Sequence, residues 1–209
     1  MKVLLINGSP HANGCTYTAL SEVAKALEEE NIETEIFHIG TDAIRGCIGC
    51  GGCSKQASFK CVFDDDTLNA GLEKAQNADG FIFGSPVHYA AASGSITSFL
   101  DRFFYAGGNS LAFKPGAAVV SCRRGGATAA FDQLNKYFTF ANMPIVSAQY
   151  WNMVHGNTPD EVKQDLEGLQ NMRTLGKNMA WLLKSIEAGK TAGINLPKIE
   201  PRIKTNYIR

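Results

Sequence analysis

Short apolar runs alternate with helical repeats along this chain, and the alternation predicts five strand–helix units. Apolar runs at residues 3–6, 79–83 and 117–121 predict buried strands, the mixed run 34–39 predicts an edge strand, and residues 143–146 predict a short fifth strand. Between these runs, apolar residues recur every three or four positions, as on one face of a helix. Strands that alternate with helices predict an α/β domain with a parallel sheet, right-handed crossovers and helices on both faces.

Local signals place the boundaries of these units. Three carboxylates at residues 64–66 favour the cap of a following helix over a site for a hard cation. Thr158, followed by Pro, Asp and Glu, begins a last helix that reaches about Ala188. We therefore predict one domain over residues 1–188, with five strands in the order 2-1-3-4-5, and an extended tail over residues 189–209.

The turn between the first strand and the first helix has the composition of an anion-binding loop. Residues 7–16 are small, hydroxylated or amide-bearing and include no Lys or Arg. Unpaired N–H groups at the start of the helix and the positive end of its dipole suit a phosphate. The spacing from Gly8 to Gly14 and the missing Lys argue against a nucleoside triphosphate, and Pro10 breaks the dinucleotide fingerprint. A monophosphate is the functional interpretation, and an ordinary strand-to-helix turn is the structural alternative.

Two further loops follow the third and fourth strands. Residues 84–94 are mostly apolar with polar tips at His88 and Tyr89, which suits a flat aromatic ring, although both could be ordinary loop residues. Residues 122–126 include two arginines, which could equally be solvated or salt-bridged, beside two glycines. In the predicted strand order the three loops converge at one rim of the sheet. A ligand with one phosphate and one broad aromatic system, such as flavin mononucleotide (FMN), satisfies all three loops.

A cysteine-rich loop, residues 44–63, is inserted after the second strand. Cys47, Cys50 and Cys53 stand at every third position among glycines, and Cys61 follows eight residues later. Soft thiolates suit an iron–sulfur cluster or zinc, and the spacing is close to that of ferredoxin runs, although the fourth Cys is more distant and no Pro follows it. A 4Fe-4S cluster, thiols without a ligand, zinc and a disulfide remain as alternatives.

Overall composition excludes some classes of partner. The chain has 209 residues, 44% of them apolar, which is enough for one well-covered core. Its 20 basic and 20 acidic residues cancel, and no basic run interleaves with aromatics, so we expect no nucleic acid partner. Neither a signal peptide nor an apolar run of about 18 residues is present, so we expect a soluble cytoplasmic protein with no membrane contact.

Several of these motifs together resemble the NADPH-dependent FMN reductase group of flavodoxin-like proteins. They are Gly8-Ser9-Pro10, Asn13-Gly14-Cys15-Thr16, Gly84-Ser85-Pro86-Val87-His88-Tyr89, Ser93-Gly94 and Phe99-Leu100-Asp101-Arg102. The cysteine array resembles the iron–sulfur flavoprotein branch of that group, in which such an array holds a 4Fe-4S cluster. The likeness covers most of the chain, including the closing residues 205–209, and it implies a flavodoxin-like three-layer sandwich.

The resemblance also implies roles for individual residues. The FMN phosphate would be held by Ser9, His11, Asn13, Gly14, Cys15 and Thr16, although many relatives have Arg in place of His11. The isoalloxazine would be lined by Pro86, Val87, His88 and Tyr89, and its pyrimidine edge would meet Ser121, Arg123, Arg124 and Gly125. The cluster ligands would be Cys47, Cys50, Cys53 and Cys61. No side chain is assigned as catalytic, because the flavin itself performs the redox chemistry.

These features predict an FMN-dependent oxidoreductase. It would take electrons from NAD(P)H or a ferredoxin and pass them to a small acceptor, with or without a cluster. A non-catalytic flavodoxin-like electron carrier, an FMN reductase whose cysteines carry no cluster, and a metal-binding interaction module built on residues 47–61 are the alternatives. The aromatic run 103–105 and the tail favour a homodimer or homotetramer.

Overall fold

Strands and helices alternate along the chain as the hydrophobic pattern predicts. The computed structural model describes residues 1–56, 59–201 and 203–207. The strands are β1 (Lys2–Asn7), β2 (Glu33–His38), β3 (Gly80–His88), β4 (Ala91–Ala92), β5 (Gly116–Cys122) and β6 (Met153–His155). The helices are α1 (Cys15–Glu29), α2 (Gly52–Gln56), α3 (Leu68–Gln76), α4 (Gly94–Gly107), α5 (Ala127–Phe140), α6 (Pro159–Val162) and α7 (Leu166–Thr191), with a 3₁₀ turn at Gly108–Leu111.

Five of the strands form a parallel sheet in the order β2-β1-β3-β5-β6. Its central register aligns Leu5 of β1 with Ile36 of β2 and Ile82 of β3, and Ile82 with Ala117 of β5. The two-residue strand β4 pairs antiparallel with the end of β3 and was not predicted. Because β4 takes a number, the parallel strands read 2-1-3-5-6. When the five parallel strands are numbered among themselves, their order is the predicted 2-1-3-4-5.

The edge of the sheet beyond β5 differs from the prediction. Residues 143–146 make only an isolated bridge, in which Ile145 lies opposite Gly116 and Val146 N donates to the Gly116 carbonyl at 2.9 Å. Pairing resumes at β6, opposite Val120–Cys122, after residues 147–151 have left the sheet. Pro144 accepts a hydrogen bond from Gly116 N at 2.9 Å but has no N–H to donate, so the pairing cannot extend to the residues before it. The predicted fifth strand is therefore wrong in position, and the edge strand is interrupted.

The sheet separates two apolar layers, which confirms the predicted three-layer sandwich. Side chains of β1 alternate between them: Leu4 and Ile6 pack with α3, α4 and α5, whereas Val3 and Leu5 pack with α1, α6 and α7. Phe103, from the aromatic run predicted at a subunit contact, is fully buried in the first layer. Only Tyr105 of that run is exposed, so the run as a whole is not a free surface.

The last helix begins where predicted but is broken. Thr158 caps α6 by accepting a hydrogen bond from Glu161 N at 3.2 Å. A second cap follows at Asp165, whose Oδ1 accepts from Gly168 N at 2.9 Å and begins α7. Beyond α7, the described residues of the tail contain no helix or strand, and Ile208 and Arg209 of the closing motif lie outside the described residues. In the described part of the chain, no helix is long and apolar enough to cross a membrane.

Candidate functional site

The loop between β1 and α1 is held in shape by its own short polar side chains. Buried Asn7 accepts a bond from Ser9 N at 3.1 Å through Oδ1, and its Nδ2 donates to the Ala12 carbonyl at 3.1 Å. Ser9 Oγ accepts from His11 N at 3.1 Å, and the His11 carbonyl accepts from Gly14 N at 3.2 Å. Because these contacts fix the backbone, the unpaired N–H groups at the start of α1 lie beside a loop of fixed shape. This loop, residues 8–16, forms the mouth of the candidate phosphate site.

His38, from the neighbouring strand, and Gly14, within the loop, complete this mouth. His38, the last residue of β2, contacts the Ser9 carbonyl through Nε2 at 2.8 Å, and that nitrogen must carry the proton because a carbonyl only accepts. A Cβ on Gly14 would lie 2.9 Å from the Cβ of His11 and 3.7 Å from Ser9 Oγ, so glycine is needed for this close approach. His11 and Asn13 are themselves exposed. The mouth is therefore open to solvent at His11 and Asn13, while the buried side chains of Asn7 and Ser9 hold its backbone.

Hydrogen bonds join this loop to the loops after β3 and β5. Ser93 Oγ donates to the Gly8 carbonyl at 2.9 Å, and Gly8 N donates to the Gly84 carbonyl at 2.9 Å. On the other side, the hydroxyls of Thr16 and Ser121 are 2.8 Å apart. The three loops singled out in the sequence therefore meet at one rim of the sheet.

The loops after β3 and β5 also touch each other. Tyr89 and Ala90 turn the chain between β3 and β4 with φ values of 49° and 60°, and the Tyr89 side chain is fully exposed. Gly126, at φ 87°, lies so close that a Cβ on it would be 2.7 Å from Ala90 Cα and 3.1 Å from Val87 Cγ1. Only glycine tolerates both this conformation and this contact.

The predicted FMN-binding residues divide into three groups by exposure. Some are exposed at the rim, and they are His11, Asn13, His88, Tyr89, Arg123, Arg124 and Gly125. Gly14, Cys15, Pro86 and Val87 are partly buried. Ser9, Thr16 and Ser121 lie beneath the rim with at most 4% of their surface exposed. The hydroxyls of Thr16 and Ser121 form a hydrogen bond that joins α1 to β5.

A fourth loop, after β6, also reaches the rim and was missed in the sequence. Cys15 Sγ donates to the Gly156 carbonyl at 3.6 Å, and Gly156 N donates to the Cys122 carbonyl at 3.1 Å. Burial raises the pKa of the Cys15 thiol and that of Cys122, so both favour the protonated form. The misplaced fifth strand concealed this loop, because His155-Gly156 then seemed distant from any strand end.

The four predicted cysteine ligands line one cavity, which is formed by the cysteine-rich loop and α4. Its volume is about 200 Å³, and Arg102 and Tyr105 of α4 complete its wall. All six cysteines of the chain are free thiols, and Cys47 and Cys50 are exposed. Among the described residues, no three potential ligands stand in an arrangement that could hold a metal ion. The structure thus brings Cys47, Cys50, Cys53 and Cys61 around one space without gathering their sulfurs.

Two side chains to which the sequence analysis gave no role at this loop, Arg102 and Asn69, hold the cysteine-rich loop. Arg102, with 2% of its side chain exposed, donates from Nε to Cys61 Sγ at 3.4 Å and forms an ion pair with Asp66. Asn69 Nδ2 donates to the carbonyls of Cys61 and Phe63 at 3.1 and 3.0 Å, and its Oδ1 accepts from Cys61 N at 2.9 Å. A charged residue on the apolar face of α4 was the available signal for Arg102, whereas Asn69 carried none.

The three carboxylates at 64–66 are occupied by protein groups. Asp66 Oδ1 accepts from Leu68 N at 3.1 Å at the start of α3, which agrees with the predicted capping role. Asp65 pairs with Arg45 at 2.8 Å. Asp64 accepts a bond from Asn69 at 2.9 Å. These contacts stabilise the return from the cysteine-rich loop into α3.

Residues 1–158 match the sequence model of the family described as NADPH-dependent FMN reductase. The chain belongs to this family. An iron-sulfur flavoprotein of Methanocaldococcus jannaschii is 34% identical over 195 residues, which cover 90% of this chain and 100% of that protein. The family suggested by the loop motifs is thereby confirmed.

Solved structures share the same fold at low sequence identity. RosB with a bound 8-demethyl-8-formylriboflavin-5'-phosphate intermediate has a TM-score of 0.66 and 15% identity, over 100% of this chain and 94% of that one. A flavodoxin from the domain Archaea has a TM-score of 0.59 and 15% identity, over 88% and 99% of the two chains. The fold is therefore flavodoxin-like, as predicted, and with the family it supports an FMN-dependent oxidoreductase.

Proposed function

We propose that this protein takes electrons from NAD(P)H, or from a reduced ferredoxin, onto FMN bound at the loop rim and passes them to a small acceptor. We further propose a 4Fe-4S cluster on Cys47, Cys50, Cys53 and Cys61 as a second electron carrier. The observation that carries the proposal is the convergence of the loops after β1, β3 and β5 at one rim.

The loops of the rim offer chemical groups that suit each part of FMN. Its mouth offers N–H groups at the start of α1 and no Lys or Arg, which suits a single phosphate near neutral donors. Ser9, His11, Asn13, Gly14, Cys15 and Thr16 would hold that phosphate, Ser9 and Thr16 by shaping the mouth from below. Pro86, Val87, His88 and Tyr89 would line the ring, and Ser121, Arg123, Arg124 and Gly125 would lie at its pyrimidine edge.

The cysteine cavity fits a cluster through its donor set. Four thiols line it, and thiolates are the usual ligands of iron–sulfur clusters. The Nε–H of Arg102 already points at one of these sulfurs, as outer groups do around metal ligands. The name of the Methanocaldococcus relative, iron-sulfur flavoprotein, agrees with this assignment.

The chain's own residues bind and orient, while bound FMN supplies the hydride and electron chemistry. Exposed Arg123 and Arg124 place positive charge at the rim, which favours an anionic ligand edge. The open rim beside fully exposed Tyr89 leaves access for NAD(P)H, and donor and acceptor would use it in turn. The reaction would then follow ping-pong kinetics.

One preparation tests the proposal. Protein purified without oxygen should be coloured by flavin, contain FMN and four irons per chain, and oxidise NADH or NADPH when benzoquinone is supplied. Cys50→Ser should abolish the iron and leave the FMN content unchanged. Protein that holds FMN but passes electrons to benzoquinone neither from NAD(P)H nor from reduced ferredoxin would be a flavodoxin-like carrier, and zinc without flavin would indicate a metal-binding module; either result overturns the proposal.

We also propose that the protein is a homodimer or homotetramer. Exposed apolar side chains support this, including Tyr150, Trp151 and Trp181, together with Ile194 and Ile203 of the tail. Light scattering of the FMN-loaded protein measures the mass, and a monomer would contradict the proposal. We also propose a cytoplasmic location, because none of the six cysteines is in a disulfide and such a set suits a reducing compartment.

A further inference from the structure

Arg102 is a buried cation that the flavin rim does not use. It lies on the apolar face of α4 between Phe99 and Phe103, both fully buried, and only 2% of its side chain is exposed. Burying a guanidinium is costly unless its donors are satisfied and its charge is paired. An apolar residue would pack here at lower cost, so the contacts of Arg102 call for an explanation.

Those contacts are all with the cysteine-rich loop and its return to α3. Nη1 donates to the Arg45 carbonyl at 3.1 Å and also contacts the Asp66 carboxylate. Nη2 donates to the Phe63 carbonyl at 3.1 Å. Nε donates to Cys61 Sγ at 3.4 Å. One planar side chain therefore holds both ends of the loop, just before Cys47 and just after Cys61, and directs one donor at a sulfur.

A lysine could not make this set of contacts. The guanidinium presents its N–H groups as a fixed fork, whereas an ammonium is a point charge on a flexible stem. The Asp66 carboxylate, also 2% exposed, balances the charge of the guanidinium, so the N–H donated to sulfur is the specific contribution of Arg102. Hydrogen bonds to cluster sulfurs are among the factors that set the reduction potential of a cluster.

We propose that Arg102 is a positioning residue for the cluster. It fixes both ends of the cysteine-rich loop around the cavity and donates the hydrogen bond that stabilises electron density on Cys61. This inference rests on the proposed 4Fe-4S cluster. A donor to a ligand sulfur favours the more negative, reduced state, so Arg102 raises the midpoint potential of the cluster.

The test compares Arg102→Lys with the wild type and with Arg45→Gln. Arg45 lies in the same loop, but its side chain pairs with exposed Asp65 and contacts no sulfur. Each protein is reconstituted anaerobically with ferrous iron and sulfide, and iron, FMN and the cluster midpoint potential are measured. For Arg102→Lys we expect a lower potential and iron release to a chelator about tenfold faster, with FMN retained. Arg45→Gln should match the wild type.

A second variant guards against simple misfolding. Arg102→Met combined with Asp66→Asn removes both buried charges at similar volume, which such pairs often tolerate. If this folded, FMN-containing variant and Arg102→Lys keep the wild-type potential and iron release, the inference fails while the cluster stands. If wild type itself takes up no iron, the proposed cluster fails and the inference with it. If FMN is lost together with iron in both variants, Arg102 has only a general structural role, which also overturns the inference.

Discussion

The rim formed by the loops after β1, β3 and β5 and the cysteine-rich loop are held in shape in opposite ways. At the rim, the loops contact one another through backbone groups and hydroxyls that lie at the ends of buried strands, as in the bond from Ser93 to Gly8. The cysteine-rich loop contains the five-residue helix α2 and is otherwise without helix or strand in its described residues. Arg102 and Asn69, from outside the loop, hold it in place.

This difference teaches which site is preformed. The loops of the rim are brought together by the sheet and by their own hydrogen bonds. The cysteine cavity has its thiols around one space, but in the described part of the chain no three potential ligands lie in a metal-binding arrangement. Changes at the rim should therefore alter FMN binding or global stability, whereas changes around the cysteine loop should alter iron binding and local stability.

The largest expected effect is at the phosphate mouth. Ser9→Asp keeps an oxygen that can accept from His11 N but places a carboxylate beside the phosphate. We expect FMN affinity to fall by about 100-fold or more, since like charges in contact cost several kcal/mol. Fluorescence titration of FMN into flavin-free protein measures this.

Ser9→Asn is the uncharged control and should lose much less affinity. Iron content should not change in either variant. If Ser9→Asp and Ser9→Asn bound FMN with equal affinity, the assignment of the phosphate to this mouth would be wrong.

The contact between the loops after β3 and β5 should give the next largest effect. Gly126→Ala forces a Cβ within 2.7 Å of Ala90 Cα at a φ of 87°. We expect the free energy of unfolding to fall by about 1–3 kcal/mol, measured by urea denaturation. Gly125→Ala, where no atom lies within 4 Å of the added Cβ, is the matched control and should be nearly neutral. A destabilisation of the same size in both variants would refute the contact.

The cysteine-rich loop should respond locally. Asn69→Ala removes the bonds to Cys61 and Phe63, and we expect about 1–2 kcal/mol less protection from hydrogen exchange over residues 59–66. FMN affinity should remain at the wild-type value. Asn77→Ala, at the other end of α3, is the control. Loss of protection spread evenly over the sheet would show that the loop is not an independent unit.

The smallest effect concerns the thiol at the start of α1. Burial raises the pKa of Cys15, so its thiolate forms at higher pH than that of an unburied thiol. The rate of iodoacetamide labelling, followed by mass spectrometry of the Cys15 peptide, should therefore rise at higher pH than labelling of N-acetylcysteine in the same solution. Labelling that rises at lower pH would mean that the helix terminus outweighs burial.

The convergence of the three loops at one rim could be predicted because its determinants are local. Each loop directly follows an apolar strand, and small or hydroxylated residues mark the turn, as Gly8 and Ser9 do after β1. Parallel pairing then places strand ends together. The family motifs lie in the same loops, so pattern and resemblance agreed.

The rest depends on contacts between distant residues. Arg102 reaches Arg45 and Cys61 across long stretches of chain, and nothing near it in sequence indicates these partners. The interrupted edge strand was missed because β6 has only three residues, too few for a periodic signal. The fifth strand was instead assigned to the apolar run 143–146 around Pro144.

Helix α4 begins at the rim, next to the loop after β3, and it carries Arg102, which contacts Cys61 at the cysteine cavity. Ser93, its cap, bonds to Gly8, and Arg102 lies further along the same helix. At about 1.5 Å per residue, the two positions are about 14 Å apart along the axis. A single added residue between them would rotate Arg102 by about 100° away from Cys61 while leaving Ser93 in place. The length and phase of one helix thus set the spacing between the two proposed redox centres.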